Sequence, residues 1–137
     1  MMVDISELLG KYIFKIERTE KDGDCLVFNL SNGAIYEQYH EQDCCENVWI
    51  EDINGDLDDL IGSFVTSRRI VQDDPNASES GTWTFYKFAT RKGYVTIRWY
   101  GSSNGYYSES AGMYKIKAED SIKEQRTKKI NKINKNG

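Results

Sequence analysis

His40, Asp43, Cys44 and Cys45 fall within six residues, and each is a side-chain type that binds metals. Zinc sites take four ligands, commonly as two spaced pairs. Only Cys25 and the acidic residues remain to complete a set, so no metal is assigned. Cys44 or Cys45 is expected to pack as a small apolar residue, with His40 in an ordinary hydrogen bond. His40 and Cys44 could also pair as base and nucleophile, but nothing else in the chain supports that pairing. Between residues 51 and 59, Asp52, Asn54 and Asp56 alternate as in a calcium loop. Such a loop then needs Gly, and a bidentate Glu at its twelfth position; those places hold Leu57 and Ser63. A strand, a turn and a capped helix account for the same residues. There is no G-x-S-x-G and no phosphate loop. No catalytic residue and no cofactor are assigned, and the chain is not expected to be an enzyme.

The stretch from Trp83 to Tyr107 suggests binding instead. Alternation puts Ile97 and Trp99 on one face of a strand and Arg98 and Tyr100 on the other. In the preceding strand Trp83 and Phe85 share a face, and Tyr86 and Phe88 share the opposite one. One face is read as core. The other is read as carrying Arg98, Tyr100 and Tyr86 beside a Gly/Ser/Asn turn, Gly101 to Gly105, followed by Tyr106 and Tyr107. Arg98 would meet a phosphate, Trp99 or Tyr100 and Tyr106 would stack on a base, and Asn104 would bond its edge. His40 and Cys44 are further candidates for the same pocket. The plain alternative is a two-sided sheet in which Arg98 pairs with Glu109 across strands.

The elements that must hold these residues are mostly strands. Asp4 caps a short helix stopped by Gly10. Tyr12, Phe14 and Ile16 alternate as a strand, Cys25–Leu30 returns after a turn at residues 21–24, and Ala34–Tyr39 completes a three-stranded meander. Val48–Ile53 reads as a strand, and Asp56 caps one or two helical turns. Phe64–Val71 is another expected strand, and residues 73–81 form a loop. Thr82–Thr90, Tyr94–Tyr100 and Tyr106–Ile116 make the strongest β region, with Arg91-Lys92-Gly93 as the first intervening turn. The predicted class is α+β, mainly β: a compact antiparallel sheet, as a meander, sandwich or partly open barrel, with one or two short helices. Residues 1–117 form a single β-rich domain. Residues 118–137 form a basic tail, either helical or disordered.

A chain of 137 residues with 39% hydrophobic content and one Pro suits one folded domain. No apolar run approaches the roughly 18 residues of a membrane span, and the N-terminus lacks the pattern of a secretory signal. Three cysteines, two of them adjacent, do not read as a spaced disulfide framework. A cytoplasmic location without membrane contact is expected. Lys115 onward holds eight Lys/Arg against three Asp/Glu, which leaves a net charge of about −9 on residues 1–114. Such an acidic body is a poor nucleic-acid binder. Self-association into a homo-oligomer is expected on general grounds.

The blocks Tyr39-His40-Glu41-Gln42-Asp43-Cys44-Cys45-Glu46, Ile50–Ile53 with Gly55–Gly62, Thr82–Lys87 and Ile97–Ser110 resemble a family of small uncharacterised phage and prophage proteins. The resemblance covers roughly residues 11 to 116, and the basic tail departs from it. It implies a phage origin, in an infected or lysogenic bacterial cell, and a counter-defence role. The expectation is a binding protein that sequesters a small nucleotide-derived immune signal without turning it over. The alternative is an acidic protein–protein inhibitor of a host defence or nuclease complex, with Glu51, Asp52, Asp56, Asp58 and Asp59 as its patch. A small hydrolase of nucleotide signals is the weakest reading.

Overall fold

The computed structural model describes residues 2–20 and 23–121. Among these residues nine strands run in chain order: β1 Tyr12–Thr19, β2 Cys25–Leu30, β3 Ile35–Tyr39, β4 Asn47–Asn54, β5 Gly62–Ser63, β6 Thr66–Asp73, β7 Ser80–Thr90, β8 Gly93–Ser103 and β9 Gly112–Lys117. They form two antiparallel sheets, ordered β5-β1-β2-β3-β9 and β4-β8-β7-β6. Neither closes into a barrel. The expected meander is present as β1-β2-β3, with Ile16 opposite Phe28 and Phe28 opposite Tyr36.

Alternating side chains from both sheets form one shared core. Phe28 meets Phe88 at 6.1 Å between ring centroids, and Phe64 stacks on Phe88 at 4.5 Å. Trp99 of β8 is fully buried, and its indole N–H donates to Gln38 Oε1 of β3 across the sheets at 2.6 Å. In β8 the buried positions are Val95, Ile97, Trp99 and Gly101, a strict period of two.

Both expected helices are single 3₁₀ turns, Ile5–Leu8 and Leu57–Leu60. Their caps are those read from the sequence: Asp4 accepts from Ser6 N–H and Asp56 from Asp58 N–H, each at 2.9 Å. Gly10 and Gly62, both at positive φ, follow too soon for a second turn. Leu8 and Leu60 plug the core from these turns.

The expected strand from Tyr106 to Ile116 needs correction. Only Gly112–Lys117 is a strand, and it leaves its neighbours to pair with β3 in the other sheet. Residues 104–111 are a loop whose polar groups bond to side chains in place of a ladder. Arg69 and the Tyr86 hydroxyl both donate to the Ala111 carbonyl. Met2 and Val3 cover the outer edge of β9, with Val3 N–H on Met113 O at 2.8 Å. The first residues past β9 are strapped to the β2–β3 turn: Asp120 N–H donates to Asn32 O at 2.9 Å. The remainder of the expected tail, 122–137, and the turn residues 21 and 22 lie outside the described residues.

Candidate functional site

The outer face of the second sheet carries a row of rings. Register pairs Trp49 with Tyr100 and Tyr100 with Trp83, so the three side chains line up across β4, β8 and β7. Tyr100 lies 5.4 Å from Trp49 and 4.4 Å from Trp83, edge to face with the latter. Phe85 adds a fourth ring, 6.4 Å from Trp83. Arg98 sits over Trp83 at 5.2 Å, close enough for a cation–π contact. Its guanidinium also grips Glu51, with Nε and Nη2 at 2.6 and 2.5 Å from Oε2. An exposed pair of this kind adds about 1 kcal/mol or less. It does commit Arg98 to Glu51, and not to Glu109 as the cross-strand reading had it.

Beside Tyr100, the middle ring of the three, the sheet runs into a cleft of about 330 Å³. Its walls come from three distant stretches: Cys45 and Asn47 at the start of β4, residues 77–80 leading into β7, and Ser102, Ser103, Asn104 and Tyr107. Beneath it lies Glu109, 7% exposed. The Glu109 carboxylate accepts the hydroxyls of Ser80 at 3.0 Å, Thr82 at 2.8 Å and Ser103. This is what turns the chain away from a strand: the carboxylate is drawn inward to serve three hydroxyls. Two glycines permit the approach. A Cβ on Gly101 would stand 2.1 Å from the Glu109 carbonyl oxygen, and one on Gly81 would stand 2.2 Å from the Tyr100 hydroxyl. That hydroxyl donates to Asp74 Oδ2 at 2.7 Å, and the bond holds the phenol pKa above its ordinary value.

The His40–Glu46 stretch braces one side. His40 is 9% exposed, with Nδ1 2.9 Å from the Ser110 carbonyl and Nε2 3.1 Å from Glu46 Oε1. Glu46 also accepts Asp43 N–H at 2.5 Å and Cys44 N–H. These bonds, that from Asp43 foremost, lower its carboxyl from 4.5 to about 2. Cys44 and Cys45 are joined by a disulfide between neighbours and are both exposed, so neither packs as an apolar residue. Cys25 is free and buried, and burial pushes its thiol pKa up.

The expected site residues therefore divide. Tyr100 and Asn104 line the cleft. Tyr106 stands beside it, 86% exposed. Arg98 lies further along the ring row. Trp99, Tyr86 and His40 do not join them. Trp99 and Tyr86 are fully buried in the core, Tyr86 beside Arg69 with burial pushing its phenol to about 12, and His40 works as a brace. Each of the two strands presents the faces its alternation predicts, but the faces that lie side by side differ from those expected. A three-residue turn at Arg91-Lys92-Gly93 would set Arg98 opposite Tyr86. The actual turn is two residues, Thr90 faces Gly93, and Arg98 therefore faces Phe85. One residue of slip exchanges every side chain between faces. The cleft also enlists Tyr107, Asn47 and Glu79, and the row enlists Trp49. Of these, Tyr107 closes the stretch that suggests binding, and Glu79 lies in the loop expected at residues 73–81.

The fold and site define a two-sheet antiparallel β protein with an aromatic row leading to a polar cleft. Residues 6–113 match the model of a domain of unknown function, DUF7448, and the chain belongs to that family. No curated protein and no solved structure matches it. No helix among the described residues is long and apolar enough to cross a membrane.

Proposed function

We propose that this protein binds a small nucleotide-derived signal in the Tyr100 cleft and holds it without turnover, as a phage counter-defence protein would. The observation that carries the reading is the junction of ring row and cleft. A base can stack on Tyr100 or Tyr107 while Asn104 and the serines bond its edge and sugar. Arg98 is left out of this arrangement, because Glu51 and Trp83 already engage it. The test is a thermal-shift screen against cyclic dinucleotides, cyclic trinucleotides and ADP-ribose derivatives. A ligand at about 100 times its dissociation constant adds about 2.7 kcal/mol, a rise of several degrees. The expected result is a shift with one class, lost in Tyr100→Ala, with the compound recovered intact. Recovery of a converted product would overturn the reading.

A second reading, an acidic inhibitor of a host defence protein, is favoured by one observation. Glu51, Asp52, Asp56 and Asp58 are all exposed along edge strand β4 and the turn that follows it. Pull-down from host lysate should then recover one stoichiometric partner, released by roughly 0.5 M salt.

A further inference from the structure

Three hydroxyls that line the cleft have their protons committed elsewhere. Tyr100 donates to Asp74, Ser80 donates to Glu109, and Ser103 donates to Glu109 while accepting Gly105 N–H at 2.9 Å. A hydroxyl has one proton, and an ionised carboxylate can only accept. Each of these oxygens therefore presents lone pairs to the cleft and no donor. Glu79 adds a carboxylate to the same wall, and no Lys, Arg or His is among the described residues that line it. The Asn104 Oδ1 accepts Tyr106 N–H at 3.2 Å, which leaves the amide NH₂ as the donor on that side. Buried Glu109 and half-buried Asp74 thus set the polarity of these three hydroxyls before any ligand arrives, while Asn47, Ser78, Ser102 and Tyr107 line the same cleft as neutral groups.

We infer that the cleft reads the N–H donor edge of its ligand, the exocyclic amine of an amino-substituted nucleobase, and leaves phosphate groups in solvent. This rests on the nucleotide reading above and sharpens it. A phosphate in the cleft would face acceptors and a carboxylate with no cation to offset them. An amino-bearing ring meets the acceptors with its N–H groups while stacking on Tyr100 or Tyr107. A base with the same shape but no amine leaves the acceptors unpaired, which is where such sites discriminate most strongly.

The probes are adenosine, purine riboside (the same nucleoside without the amine), adenosine 5′-monophosphate, and agmatine as a donor without an aromatic ring. Binding is read by chemical-shift titration on the full chain. Adenosine should bind, purine riboside at least tenfold more weakly, and the monophosphate no more tightly than adenosine. Ser80→Ala, which leaves Glu109 two of its hydroxyls, should weaken adenosine several-fold and leave purine riboside unchanged. Equal affinity for adenosine and purine riboside, or a tenfold gain from the phosphate, would overturn the donor-edge inference while the nucleotide reading survived. Binding of agmatine alone would do the reverse, and no binding by any probe would end both.

Discussion

Replacing Glu109 by Ala removes the common acceptor of Ser80, Thr82 and Ser103 in one step. Hydrogen bonds to a charged group contribute about 1.5–3 kcal/mol each, though not additively. Glu109→Ala is expected to cost about 3 kcal/mol by urea denaturation, and Glu109→Gln, which keeps one acceptor, about half that. Glu46 makes a different prediction. Its folded carboxyl titrates at about 2 against 4.5 for the ordinary group, so the native state favours the ionised form. Its contribution is complete above pH 4.5 and is lost as pH falls towards 2. Urea midpoints at pH 6, 4 and 3 should therefore fall more steeply in the natural chain than in Glu46→Gln. Parallel curves would mean that Glu46 is not linked to folding in this way.

Among the elements, the loop 104–111 depends on Gly101 most directly. A methyl at that position meets a backbone carbonyl, which cannot step aside as a flexible side chain does. Gly101→Ala should cost about 2 kcal/mol or more and speed amide exchange at Gly105 and Tyr106 more than in β2. Uniform acceleration would show that the loop and sheet open together. Strand existence and strand faces could be read here because buried and exposed positions alternate cleanly, as in β8. Two features could not. Register hung on whether Gly93 belonged to the turn or the strand, and nothing local decides that. The cleft, in turn, is built largely from serines and asparagines with no periodicity, over a carboxylate shared with Thr82. Such residues look alike in loops and in sites, and they became a site only when Glu109 drew three of them together.

At the scale of the whole molecule, the two sheets meet through apolar packing, and Trp99 to Gln38 is a fully buried polar bond from strand to strand within it. Gln38 Nε2 has no partner among the described residues, so the amide is only half satisfied. Trp99→Phe should cost about 2–4 kcal/mol, through lost ring volume and the stranded Gln38 oxygen. Adding Gln38→Leu should recover part of that, because an apolar pair leaves no buried polar atom. If the double variant is no more stable than Trp99→Phe alone, the bond matters less than the indole volume. That β9 crosses to the first sheet was not legible, since its partner β3 lies more than seventy residues earlier. Composition and alternation speak for neighbours in sequence, and only packing chooses between distant ones.

Gly81 has a consequence for comparing members of the family. The Tyr100 hydroxyl stands where a Cβ at this position would have to go. A relative carrying any larger residue there must move that tyrosine, and with it one wall of the cleft. Position 81 thus sorts relatives that can keep this cleft wall from those that have inherited only the scaffold, before any of them is purified.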